Sequence, residues 1–174
     1  MRKLRVGEKA SDFKLPGVDG KNHTLTELTN GHKAVVVVFT CNHSPHAKAY
    51  EERLIALQRD YEKKRVQFLC INSNDASSYP EDSFDQMKVR AAKKGFNFPY
   101  LRDELQVVAR AYGAECTPET FLLDGSYTLR YNGRIDDNWQ NPSAVNSNDL
   151  RDALDALLPA RKLPTPSLPP SAAA

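Results

Sequence analysis

The chain has 174 residues, 40% of them apolar, which is enough for one domain of ordinary size with a real core. Its formal net charge is only +2, with both signs spread along the chain, which excludes a nucleic-acid-binding stripe and a polybasic membrane patch. No apolar run approaches the roughly 20 residues of a membrane span, and three cysteines do not make a secreted disulfide framework.

The start, Met1 to Arg5, is charged, but no apolar stretch follows it, so no signal peptide is expected. A reducing cytoplasm is the expected compartment. Turn signals at Pro16-Gly17 and Asp19-Gly20, with short alternating patches at 12–15 and 23–25, predict a small N-terminal hairpin. Val35 to Phe39 is a run of mostly β-branched apolar residues and predicts a buried strand.

Pro45 opens a helix expected to run to about Lys64, with Tyr50, Leu54, Leu57 and Tyr61 on one face. Ser44 stands at its N-cap position. Val66 to Asn72 predicts a second strand, with Phe68 and Cys70 on one side and Leu69 and Ile71 on the other. A helix is expected from near Pro80, with Phe84, Met87 and Ala91 inward and Gly95 as its C-cap.

Glu104 to Tyr112 predicts a short helix ending at Gly113. Thr120–Leu123 and Tyr127–Tyr131 predict a hairpin around Asp124-Gly125. Ser147 is expected to cap a last helix that turns Leu150, Leu154, Leu157 and Leu158 inward and stops at Pro159. Residues 1–160 thus form one domain. Residues 161–174, rich in proline and alanine, predict a disordered tail. Alternating strands and helices followed by a hairpin and a helix indicate an α/β domain, with a mixed central sheet flanked by helices on both faces.

Several residues could carry chemistry. Cys41 lies at a strand-to-helix turn, where a helix N-terminus favours a thiolate; the alternative is a small apolar residue ending a strand. Cys116 precedes Thr117-Pro118, a bond that can be cis and would then present backbone to an incoming peptide or thiol; an ordinary turn with a buried cysteine is the alternative. Cys70, mid-strand, reads as core packing. Ser44 reads as a helix cap worth about 1 kcal/mol. As a nucleophile it would need a base and an orienting acid, and no acid is visibly placed beside His43 and His46. Cys41, His43 and His46 form a C-x-H-x-x-H spacing that could hold copper or zinc, but a fourth ligand is not evident, and no metal or cofactor is assigned. His23 and His32 read as solvated loop residues. Arg134 to Trp139 either lines a cleft or forms a surface loop around an anchoring tryptophan.

From about Val6 to Leu158 these motifs resemble the thioredoxin-fold redoxins of the peroxiredoxin-like AhpC/TSA superfamily. The resemblance rests on Val6 to Phe13 with the Asp19-Gly20 turn, the strand, turn and helix across 35–50, Cys116-Thr117-Pro118, and Tyr131 to Asp137. One group of these redoxins reads F-T-C-N-H-C-P-x-A-K-A-Y where this chain has Phe39-Thr40-Cys41-Asn42-His43-Ser44-Pro45-His46-Ala47-Lys48-Ala49-Tyr50. The resemblance implies a thioredoxin-like fold with an N-terminal hairpin extension and Pro118 as its cis-proline. It implies thiol–disulfide exchange or thiol-dependent peroxide reduction, on a disulfide-containing protein or a peroxide, with an external thiol as reductant.

By position Ser44 matches the nucleophilic cysteine, and Ala47 the resolving one. The threonine of the peroxidase pattern falls on Cys41. The resemblance therefore implies Cys41, Ser44 and Cys116 as the catalytic positions, and His43, Pro45, Thr117 and Pro118 as the substrate-contacting ones. An oxygen at residue 44 cannot attack a disulfide or a peroxide, so the chain is expected to be impaired in the family reaction. A silent binding module for a protein or peptide, or a copper-handling protein, is the alternative.

Overall fold

The computed structural model describes residues 3–158. The expected tail lies outside the described residues. After a short hairpin of β1 (Lys14–Pro16) and β2 (Asn22–Thr24) comes α1 (Leu25–Thr29), then β3 (Ala34–Thr40), α2 (Pro45–Tyr61), β4 (Val66–Asn72), α3 (Phe84–Lys94), β5 (Tyr100–Arg102), α4 (Val107–Tyr112), β6 (Glu119–Asp124), β7 (Leu129–Gly133) and α5 (Asp149–Leu157). The hairpin strands pair antiparallel. The main sheet has the order β5-β4-β3-β6-β7. Strand β3 runs parallel to β4 and antiparallel to β6, and β5 runs parallel to β4, so the sheet is mixed as expected.

Residues alternate across this sheet because successive side chains on a strand point to opposite faces. Val36, Val38, Phe68, Cys70 and Leu122 pack with Tyr50, Leu54, Leu57 and Tyr61 of α2, Met87 of α3, and Leu150 and Leu154 of α5. Val35, Val37, Phe39, Leu69, Ile71 and Phe121 pack on the opposite side with Leu15, Leu25 of α1, and Val108 and Tyr112 of α4. Both faces of β3 are thereby covered, which is why its sequence is a continuous apolar run rather than an alternation. Burying each large side chain of these clusters contributes about 1.5–3 kcal/mol relative to leaving it in water.

Several expected boundaries move, each for a local reason. Pro80–Asp82 forms a 3₁₀ turn, and the helix behind it begins after Ser83, whose hydroxyl accepts from the Gln86 N–H. The helix expected from Glu104 starts only at Val107, because Gln106 adopts a left-handed conformation at its N-cap. Ser147 does not cap α5; Asn148 holds the cap position, and the Ser147 hydroxyl donates to Asp149 Oδ1 at 2.5 Å. The second arm of the hairpin begins at Leu129, since Tyr127 has a φ of 67° within the turn. His23 is not a solvated loop residue: it lies in β2, and Asp19 Oδ2 is 2.8 Å from its Nε2. Gly113 ends α4 at φ 75°, and a Cβ there would run into the main chain of Lys3, so no other residue fits.

Candidate functional site

The site forms where β3 ends. Cys41 is the first residue after that strand, and α2 begins four residues later, with Ser44 as N-cap and Pro45 at its first turn. The Ser44 hydroxyl accepts from the Ala47 N–H at a long 3.4 Å. Across the sheet, β6 starts at Glu119 opposite Phe39, so the segment 116–118 arrives beside the end of β3. The Thr117-Pro118 bond is cis. The Cys41 Sγ lies 3.5 Å from Thr117 Oγ1 and is buried, with 1% of its surface exposed.

The turn between β3 and α2 is fastened from below by Asp82. Its carboxylate is 0% exposed. Oδ1 accepts from the Asn42 N–H at 2.5 Å and from Asn72 Nδ2 at 3.0 Å. Oδ2 faces His43 Nδ1 at 2.5 Å and accepts from Asn74 Nδ2 at 3.3 Å. The imidazole of His43 stacks on the Tyr79 ring at 4.0 Å. Asn42 donates to the Glu81 carbonyl and accepts from the Tyr100 hydroxyl at 2.7 Å. Burial raises the Tyr100 phenol well above its ordinary range, so it acts there as a proton donor.

An acid is therefore placed beside His43, contrary to the sequence expectation. Asp82 lies 39 positions from His43 along the chain, in the 3₁₀ turn ahead of α3, so no local spacing links the two. The Cys41 sulfur, a ring nitrogen of His43 and an oxygen of Asp82 all lie within 4.8 Å of one another. His46 does not join them. Its ring packs on Trp139 at 3.8 Å on the exposed side of α2, so the C-x-H-x-x-H spacing does not converge.

Cys116 is the exposed thiol among the three cysteines, all of which are free. Its N–H and Sγ face Glu119 Oε1 at 3.4 and 3.9 Å. Burial and the Glu119 carboxylate push this thiol up, and the ammonium of Lys3 opposes them only in part. Burial, with Glu51 adding to it, drives Cys70 far above the ordinary thiol range, in keeping with a core role. Two clefts meet at the Cys116-Thr117 edge. One of about 330 Å³ runs past Ser73, Asn74, Gln106 and Arg110. The other, of about 470 Å³, is walled by Pro118, His46, Tyr50, Arg134 and Trp139. The second wall is rigid, because Arg53 of α2 reaches Asp136 Oδ2 at 2.8 Å and the carbonyls of Asn138 and Trp139 at 2.7 and 2.9 Å. Arg134 to Trp139 is thus a cleft wall rather than a free loop.

The site residues expected from sequence separate into two groups. Cys41 and Thr117 touch, and Ser44 and His43 flank Cys41 along the turn. Cys116 and Pro118 line the clefts, while Pro45 is exposed at the helix start. Comparison with known proteins bears on what such an arrangement does. The family model described as "AhpC/TSA family" matches residues 6–132. The chain belongs to the AhpC/TSA family.

Among curated relatives, the thiol-disulfide oxidoreductase ResA of Geobacillus thermodenitrificans is 30% identical over 124 residues, which is 70% of this chain. The match spans 64% of that relative, just under two thirds of its length. A solved structure of an uncharacterized conserved protein from Geobacillus kaustophilus superimposes with a TM-score of 0.83 at 40% identity, over 92% of this chain and 88% of that one. Peroxidoxin BcpB from Mycobacterium tuberculosis shares the fold, with a TM-score of 0.66 at 19% identity over 91% of this chain and 99% of that one. The fold is thus thioredoxin-like, and the lineage is that of thiol-based redoxins.

Proposed function

We propose that this chain is a thiol-dependent oxidoreductase that carries out thiol–disulfide exchange with Cys41 and Cys116 as its redox pair. The observation that carries the proposal is the approach of the Cys41 Sγ to Thr117 Oγ1 at 3.5 Å, one residue from Cys116. The serine at the helix start makes this a slow version of the family reaction, because an alcohol there stays protonated where a thiol would ionise.

In the reductive direction Cys116, as thiolate, attacks one sulfur of a partner's disulfide. An S–S bond to Cys116 forms, the partner's S–S bond breaks, and the departing partner thiolate takes up a proton. Cys41, deprotonated, then attacks the Cys116 sulfur, releasing the second partner thiol and leaving a Cys41–Cys116 disulfide. Two electrons pass to the partner, and an external dithiol returns them. The raised Cys116 thiol keeps the first step slow at neutral pH. The cleft past Pro118, walled by the packed rings of Trp139 and His46, suits an extended disulfide-bearing segment of a protein partner better than a small peroxide. An external dithiol and free cysteines suit the cytoplasm.

The test is oxidation of the reduced chain with diamide, followed by peptide mapping by mass spectrometry. A Cys41–Cys116 link, with Cys70 unmodified, is expected. All three thiols remaining reduced, or Cys41 alkylating no faster than Cys70 after unfolding-free incubation, overturns the assignment.

A further inference from the structure

We propose that Cys41, His43 and Asp82 form a three-ligand site for a divalent ion of the zinc class, with the fourth position open to water. The inference stands on the ligand set and not on the exchange chemistry. It concerns the same sulfur, so an occupied site withholds Cys41 from oxidation.

The donor chemistry is that of zinc: one thiolate, one imidazole and one carboxylate, with a position left for solvent. The three donor atoms lie within 4.8 Å of one another. Ligands of a tetrahedral zinc stand about 3.3–3.8 Å apart, given bonds of roughly 2.0–2.3 Å. Side-chain rotations that draw in the sulfur and open the 2.5 Å contact of His43 Nδ1 with Asp82 Oδ2 reach that spacing with no movement of strands. The neighbours hold the ligands as an outer shell should. Asn42 and Asn72 fix Asp82 Oδ1, Tyr79 fixes the His43 ring plane, and Thr117 faces the sulfur.

Charge supplies a second argument. Asp82 is a fully buried carboxylate, and among the described residues its ion-pair partner is His43 alone, with no lysine or arginine. Contacts from Asn42, Asn72, Asn74 and His43 offset part of the cost of burying it, but no permanent cation balances its charge. A dication held by one carboxylate and one thiolate makes the buried cluster neutral. On binding, Cys41 releases its proton to solvent and forms the metal–sulfur bond. No electron is transferred. The His43 side chain, 23% exposed, is the entrance. His46, turned toward Trp139, takes no part.

The test uses the full, reduced, metal-free chain and Co²⁺ alone as the probe, then Zn²⁺ in competition with a chromophoric chelator. One cobalt per chain is expected, with a thiolate-to-cobalt charge-transfer band that Zn²⁺ abolishes, and with Cys41 protected from alkylation. Cys41→Ser and His43→Ala each weaken binding by at least about 100-fold, since losing an outer-shell partner alone costs up to that much. Asp82→Asn does the same if it folds; His43→Ala, at the exposed side, decides the matter if it does not. Cys116→Ser and His46→Ala leave binding unchanged, and since Cys116→Ser removes the exchange pair, the two readings fail separately. Absence of the charge-transfer band, its survival in Cys41→Ser, or its loss in Cys116→Ser or His46→Ala overturns the site.

Discussion

Replacing Ser44 by cysteine restores a nucleophile to the start of α2, and its effect follows from the geometry there. An ordinary thiol, with a pKa of about 8.5, is only about 3% ionised at pH 7. A helix N-terminus stabilises an anion by about 0.3–2 kcal/mol, and 1.36 kcal/mol corresponds to one pKa unit. Residue 44 faces the Ala47 N–H, which the Ser44 hydroxyl now holds by a long bond, and α2 is 17 residues long, so the end effect acts on an anion placed there. The upper bound lowers the thiol to about 7 and makes it roughly half thiolate at neutral pH. The structural loss is small. The Ser44 cap bond is a long 3.4 Å, so its removal costs less than the typical 1 kcal/mol or so. The assay is the pH dependence of iodoacetamide alkylation in Ser44→Cys, alongside reduction of a disulfide-bonded protein. The expected midpoint is about 7–8, with disulfide reduction about tenfold or more above that of the unmodified chain. A midpoint at or above 8.5 or so, together with no gain in reduction, would refute the argument and leave a binding module in its place.

Further outcomes can be measured without reference to the chemistry. Asp136→Ala takes the carboxylate from the part-buried Arg53, which keeps its bonds to the Asn138 and Trp139 carbonyls; urea unfolding should show a loss of about 1.5–3 kcal/mol. Asp124 closes the β6–β7 turn. Burial pushes its carboxyl up, but bonds from Ser126, Arg130 and Thr128 outweigh that and bring it to about 2 against an ordinary 3.8. Because the folded value is depressed, this group stabilises the fold at neutral pH, and the contribution fades as pH falls from about 4 through 2. Asp124→Asn should therefore lower stability at pH 7 by roughly 1–2 kcal/mol and flatten the acid side of the stability profile between pH 4 and 2. An unchanged acid slope would count against that assignment.

How far the sequence reads through to the structure depends on where each signal lies. Strand β3 was legible because burial on both faces demands an unbroken apolar run, and α2 because Tyr50, Leu54, Leu57 and Tyr61 repeat at helical spacing. Helix α1 was not, since five residues make no period. Its mark was the capping box of Thr24 and Glu27, whose side chain and backbone satisfy each other. Strand β5 has three residues, all buried, and so neither alternation nor length to mark it. At the site, the Cys41 turn and the Thr117-Pro118 bond carry local signals in the sequence. Asp82 is a partner made only by folding, and nothing near it in the chain points to His43. His46 shows the converse, since closeness in sequence suggested a ligand that the helix carries away to Trp139.

The pairing of β3 with β6 has a wider implication. Phe39 sits opposite Glu119 at the last rung of the ladder between these two strands, so Cys41 and Thr117 are juxtaposed by main-chain bonds that are blind to side-chain identity. Nothing in that ladder senses which atom caps the neighbouring helix. A lineage built this way can discard its reactive group in a single step while the architecture persists intact, leaving a shaped hollow free to acquire another occupation.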